Sequence, residues 1–265
     1  MTGSSVTNRG MRRTILRQAK RAKVGHIGSA LSALDLVAAI YAEMRDETGP
    51  DRDRFILSNG HAALALYAVL HAIGRITDAD LDTFACDESF LGVHPQHSLD
   101  AVDFTTGSLG HGLSIGAGAA LGARLSGSAR RVFAVLSDAE CNEGSVWEAA
   151  MFAAQRGLSN LVVVIDLNGQ QALGYTRDVL NVPSMAERWR AFGWEAHDVD
   201  GHDGQAMREA IVRLDMSSEH PPHVLVAHTT FGCGVSFMEN QIPWHYLSMS
   251  DDHFAAAMAE LAEPA

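Results

Sequence analysis

Two apolar runs in the middle of the chain, Val132–Leu136 and Leu161–Ile165, each end in polar residues: Ser137-Asp138-Ala139-Glu140 after the first, Asp166-Leu167-Asn168-Gly169-Gln170 after the second. Both runs have the length and composition of buried β-strands, and Ser145–Gln155 between them has helical spacing. The unit is therefore strand–helix–strand. Such a crossover is right-handed and joins parallel strands of one sheet, so the two C-terminal ends share an edge. No other segment restricts the fold as much. Asp138 and Asn168 meet where open α/β sheets bind ligands. A carboxylate and an amide oxygen suit a hard divalent cation such as Mg²⁺, which shares its shell with phosphate oxygens. Each residue alone has a plainer reading, an N-cap for Asp138 and an Asn-Gly turn for Asn168.

Strand and helix patterns alternate through the rest of the chain. The basic N-terminal segment predicts a helix broken at Gly25-His26-Ile27-Gly28. Ser29 or Ser32 is expected to start the next one, through Leu34, Leu36, Val37, Ile40 and Tyr41. Arg54–Leu57 predicts a short strand ending at Ser58-Asn59-Gly60-His61, and a helix then carries Leu64–Leu70 to a stop at Gly74. A minor helix is expected over Asp78–Ala85, before an aperiodic loop holding His94-Pro95 and His97. Thr105–Gly112 leads into a helix over Ile115–Leu125, whose glycines and alanines imply close packing, on the sheet or toward a ligand. Glu195–Asp200 and Val224–His228 predict strands, Met185–Phe192 and Gln205–Leu214 helices, and Asp251–Leu261 a closing amphipathic helix. The pattern predicts one α/β domain over residues 1–265, a doubly wound, mainly parallel sheet flanked by helices.

A formal net charge of −12 argues against nucleic acid or an anionic membrane as the partner. It also leaves any phosphate to be held by a metal, backbone amides or histidines. Cys86, Cys141 and Cys233 are odd in number and lack metal-ligand spacing, which fits a reducing compartment. The basic N-terminus has no signal-peptide apolar core, and no run reaches the length of a membrane span. A soluble, cytoplasmic protein is expected.

The run from Leu136 through Ser137-Asp138-Ala139-Glu140-Cys141-Asn142-Glu143-Gly144 to Ala149, with Asn168 beyond it, resembles the thiamine-diphosphate motif of the transketolases. Other segments resemble that family in the same order: Gly25–Ser29, Arg54–His61, His94-Pro95, Thr105–Gly110, Asp200–Asp203, and Phe237–Asn240 followed by Trp244-His245. The resemblance implies a diphosphate-binding (PP-type) domain of the thiamine-diphosphate fold. It implies that Asp138, Asn168 and the backbone carbonyl of Gln170 ligate Mg²⁺. His61 and His245 would contact the diphosphate, while His26 and His94 would face substrate hydroxyls and assist proton transfers, work that imidazole suits. These four histidines are the candidate catalytic set. Gly107, Ser108, Leu109, His111, Ala139 and Glu140 complete the candidate cofactor-binding set, and His202 is expected to be structural.

Two departures from the family pattern stand out. Ser137 and Ala139 replace the glycines of a Gly-Asp-Gly, and alanine fits there only at negative φ, so weakened but not abolished cofactor binding is expected. Phe231 stands where relatives often carry lysine, implying a changed substrate or partner surface.

In this family a separate pyrimidine-binding domain carries the glutamate that activates the cofactor. The resemblance therefore implies that the partner is a C-terminal transketolase subunit, in an α₂β₂ heterotetramer with each active site between two chains. The implied reaction moves a two-carbon ketol unit from a ketose or sugar-phosphate donor to an aldose, or to an acyl carrier protein in specialised biosynthesis. Two other readings stay open: the α subunit of a 2-oxo-acid dehydrogenase, and a non-catalytic scaffold.

Overall fold

A computed structural model of the chain describes residues 8–45, 49, 51–217 and 220–262. In chain order the elements are α1 (Asn8–Ala22), α2 (Ile27–Glu43), β1 (Arg54–Leu57), α3 (Ala63–Ala72), α4 (Asp78–Leu81), α5 (Gly112–Leu125), β2 (Val132–Ser137), α6 (Gly144–Gln155), β3 (Leu161–Leu167), β4 (Gln170–Gln171), β5 (Gly174–Tyr175), α7 (Thr176–Val179), α8 (Met185–Ala191), β6 (Glu195–Asp200), α9 (Gly204–Arg213), β7 (His223–His228) and α10 (Asp251–Glu260). Five strands form one parallel sheet in the order β1-β2-β3-β7-β6. The β2–β3 register runs from Val132 opposite Leu161 to Ser137 opposite Asp166.

The apolar runs are continuous because both sheet faces are covered. Phe55, Leu57, Phe133, Val135, Val162 and Val164 pack on one face against α1, α2, α3 and α9. The alternate residues Ile56, Ala134, Leu136, Leu161, Val163 and Ile165 pack on the other against α5, α6 and α8. Each buried aliphatic side chain contributes about 1.5–3 kcal/mol of transfer free energy, which makes this sheet a rigid base for the loops at its C-terminal edge. The doubly wound parallel fold is as the sequence predicts.

Four local features differ from the sequence expectation. Helix α2 starts at Ile27, before either expected serine, behind His26 in the left-handed region at φ 57°. Ser29 and Ser32 are buried within the helix, and the Ser32 hydroxyl donates to Asp166 Oδ2 at 2.7 Å instead of capping. Helix α4 stops at Leu81, after a capping box between Thr77 and Asp80. Helix α5 begins at Gly112, three residues before the expected Ile115. Within α5, a Cβ on Gly116 would come 3.3 Å from Ile56 and Leu161, while Gly118 and Gly122 meet nothing within 4 Å. Only part of the small-residue run is thus explained by packing on the sheet. The β4–β5 hairpin had no sequence counterpart; its two-residue strands are too short to show a period.

Candidate active site

The C-terminal ends of β1, β2 and β3 and the first turn of α2 surround a cavity of about 290 Å³. Asp138 follows β2 and is fully buried. Its Oδ1 accepts from the Ala139 amide at 2.9 Å, capping the short helical turn Ala139–Asn142, so the plain N-cap reading is also true. Its Oδ2 accepts from the Gly169 amide at 3.0 Å and the Thr176 hydroxyl at 2.9 Å. Those bonds fold the Asn168-Gly169 turn directly onto Asp138. Asn168 Oδ1 accepts from the Gln170 amide at 3.0 Å, and its Nδ2 donates to Asp166 Oδ2 at 3.2 Å. Burial, with the charge of Asp166 beside it, pushes the Asp138 carboxyl up to about 7. Burial raises Asp166 as well.

This arrangement fits a bound Mg²⁺ with a diphosphate. The donors gathered at Asp138, Asn168 and Gln170 are oxygens, the set a hard cation takes. No lysine or arginine is among the described residues lining the cavity on which Asp166 opens, with Asp138 crowded behind it. Both side-chain amide atoms of Gln170, and both of Asn59, are buried without a hydrogen-bond partner among the described residues. Such atoms mark a place where a polar ligand completes the bonding.

The histidines converge from three loops. The rings of His26 and His61 lie 4.8 Å apart, and His245 lies 6.1 Å from His26. The His26 amide donates to the His245 carbonyl at 3.0 Å, tying the α2 start to the later loop. Gly25 allows that approach, since a Cβ there would sit 2.8 Å from the same carbonyl. A second cavity of about 290 Å³, with Leu64, Phe84 and Val93 in its walls, opens on His26, His61 and His94. Tyr67 holds the His94 loop through a hydrogen bond to the His94 carbonyl at 3.3 Å. Burial, aided by the neighbouring rings, holds His61 down to about 3, and burial holds His245 down to about 4. His26 is lowered for the same reason. Neutral imidazoles each offer one donor and one acceptor. His26 Nδ1 is buried and has no partner among the described residues.

The remaining candidates are placed less uniformly. Ala139 and Leu109 line the first cavity, and Gly107 sits against the His94 ring. Ser108 and His111 are exposed and line neither cavity, His111 lying just before α5. Glu140 is buried away from the cavity; its carboxylate accepts from Ser58 Oγ, from the Gly110 amide at 2.7 Å and from the Ser137 amide at 3.4 Å. It joins three loops instead of facing the ligand space. Ser137 Oγ accepts from the Glu140 amide at 3.2 Å, and Ala139 lies outside the positive-φ residues, so both replacements fit without backbone strain.

Phe231 corrects the sequence expectation. It is no part of a substrate or partner surface but fully buried, stacked on the His245 ring at 4.3 Å and pressed against Gly28. Ser29, Asn59 and Asp166 line the first cavity and were missed as site residues. For Asn59 and Asp166 the available signal was a polar residue just beyond, or interrupting, an apolar strand, whereas Ser29 lies in the first turn of α2. His202 bonds Asp35 Oδ2 at 2.7 Å through Nδ1 and accepts from the Thr230 amide at 2.8 Å through Nε2. Asp35 also pairs with Arg12, which in turn bonds Cys233. With both ring nitrogens engaged and a guanidinium present, the Asp35–His202–Cys233 cluster is a structural network and not a metal centre.

Comparison with known proteins bears on the whole described span. Residues 8–262 match the family model "Transketolase, thiamine diphosphate binding domain". The chain is 36% identical over 258 residues to a subunit of the apulose-4-phosphate transketolase of Phocaeicola vulgatus, covering 95% of this chain and 91% of that one. It is 34% identical over 257 residues to the 6-deoxy-6-sulfo-D-fructose transketolase subunit SqwG of Clostridium sp. (strain MSTE9), covering 95% and 93%. The solved transketolase of Campylobacter jejuni superposes with a TM-score of 0.87 at 25% identity. It is covered over 96% of this chain but only 42% of its own length.

Proposed function

The chain belongs to the transketolase family, matching its thiamine diphosphate binding domain, and from that premise we propose that it is the diphosphate-binding subunit of a split transketolase. Joined to a second subunit that supplies the pyrimidine-binding domain and its glutamate, it moves a two-carbon ketol unit from a ketose donor to an aldose acceptor. The observation that carries this reading is the juxtaposition of Asp138 and Asn168 at one sheet edge with the His26–His61–His245 group above the same cavity. The near-complete coverage of relatives that are themselves named as transketolase subunits supports the division of labour. Because these relatives are named as transketolases, the 2-oxo-acid dehydrogenase reading is not favoured.

Asp138, Asn168 and the Gln170 carbonyl hold Mg²⁺ in this proposal. Thiamine diphosphate, when bound, supplies the carbanion chemistry that breaks the C2–C3 bond of a ketose. His61 and His245 donate to diphosphate oxygens as neutral groups. His26, with Nδ1 unpartnered, exchanges a proton with a substrate hydroxyl, and His94 acts from the far side of the second cavity. The apolar walls there exclude water from that exchange. Two relatives are named for a phosphorylated and a sulfonated sugar. Neither cavity is lined by a lysine or arginine among the described residues, so an anionic end of the sugar is gripped by the partner.

Asp138→Ala tests the proposal. Calorimetric titration of Mg²⁺ and thiamine diphosphate, with the partner chain present, should show affinity falling by at least about a hundredfold, since even outer-shell supports of a metal matter ten- to a hundredfold. Ketol transfer should fall with it. Unchanged turnover by the complex would instead support a scaffold role.

A further inference from the structure

Asn59 occupies an N-cap position without acting as an N-cap. It precedes the short helical turn Gly60–Ala62, yet its side chain makes no capping bond. Asparagine in that position ordinarily turns its oxygen onto the backbone amides ahead of it. Here both carboxamide atoms are fully buried and have no hydrogen-bond partner among the described residues. Leaving buried polar atoms unpaired costs about 1–3 kcal/mol each, whereas an apolar residue of similar shape would cost little. Packing alone therefore gives no reason for asparagine.

Its location supplies one. Leu57, two residues before Asn59, pairs with Val135 in the parallel β1–β2 ladder, and the Ser58 amide donates to the Val135 carbonyl, so Asn59 emerges at the same sheet edge as Ser137 and Asp138. Asn59 lines the same cavity as Ala139, Asn168 and Gln170. That cavity has no lysine or arginine among its described lining, so an anion within it depends on neutral N–H donors, those of the histidines included, besides a metal. A carboxamide offers two such donors and matches a phosphate oxygen well.

We infer that Asn59 is a binding residue for the diphosphate, its Nδ2 group donating to a non-bridging phosphate oxygen at the floor of the cavity. The inference rests on the proposed thiamine-diphosphate site and adds to it a group from the turn after β1, a segment that supplies none of the Mg²⁺ ligands. A buried amide kept unpaired in the ligand-free chain is a site held ready at a cost to stability.

The test uses the full chain with its partner, titrated calorimetrically with Mg²⁺ plus inorganic diphosphate and with Mg²⁺ plus thiamine diphosphate. Asn59→Ala should weaken both by about ten- to a hundredfold, the equivalent of losing a hydrogen bond to a charged group. Its ligand-free melting temperature should be equal to or above wild type, which a merely structural asparagine would not allow. Asn59→Ser keeps a small polar group and carries the same affinity expectation should the alanine variant fail to fold. Unchanged affinity for both ligands overturns the inference alone, as does weakened thiamine diphosphate binding with inorganic diphosphate unaffected. Failure of the wild-type chain to bind either ligand overturns the proposed site and the inference together.

Discussion

His61 sits neutral in a buried cluster of rings, and that choice shapes how the chain responds to acid. Burial and the neighbouring histidines depress it to about 3, well below its ordinary value. Because the folded value is the lower one, its contribution to stability is fully present above about 6.5 and is lost as pH falls toward 3. At pH 5 the loss is about 2 kcal/mol for this one group. His61→Asn, which cannot take up the proton, should narrow the stability difference between pH 7.5 and pH 5 in urea titrations. An identical pH response in the two proteins would contradict the burial argument. His61 was legible in the sequence through its place beyond an apolar strand, in a segment resembling the family's. Asn59 and Asp166, equally placed at strand ends, were not, because asparagine and aspartate have commonplace roles there. Only the finding that the Asn59 side chain caps nothing separates it from those roles. Nor was the comfort of Ser137 and Ala139 legible: it depends on a bond from the Glu140 amide and on the sign of one φ angle.

The strands were readable because a parallel sheet covered on both faces leaves uninterrupted apolar runs, with β2, β3 and β7 matching expectation within two residues at either end. The start of α2 was not, because the rule that serine begins a helix fails when tertiary bonds claim the hydroxyl, as Asp166 claims Ser32. What fixes that helix start is packing: Gly28 lies against the Phe231 ring, and a Cβ there would come 2.1 Å from it. The Phe231 ring supports His245, so the α2 start, the loop after β7 and the histidine cluster form one mechanical unit. Gly28→Ala should cost about 1–3 kcal/mol by overpacking and weaken thiamine diphosphate binding in the same variant. Adding Phe231→Leu should return part of the stability, read by urea denaturation. Equal losses with and without the second substitution would show that the Gly28–Phe231 contact is not the cause.

At the scale of the whole molecule, the chain carries −12 net charge yet is proposed to hold a diphosphate. Long-range attraction does not assist binding, so affinity must come from a metal, histidines and buried amides, all at one end of the sheet. Two exposed apolar side chains, Leu173 and Tyr246, lie beside that end, as expected if a second chain closes over it. The solved transketolase whose fold it shares is more than twice its length, while the subunits it resembles are nearly matched. Transfer of a ketol unit from a ketose to an aldose should therefore be measured with the purified chain, its separately expressed partner, and their mixture, with Mg²⁺ and thiamine diphosphate present. The expected result is no turnover by either chain alone and turnover on mixing that saturates at a fixed ratio. Ketol transfer by this chain alone, at a rate unchanged by adding the partner, would contradict it.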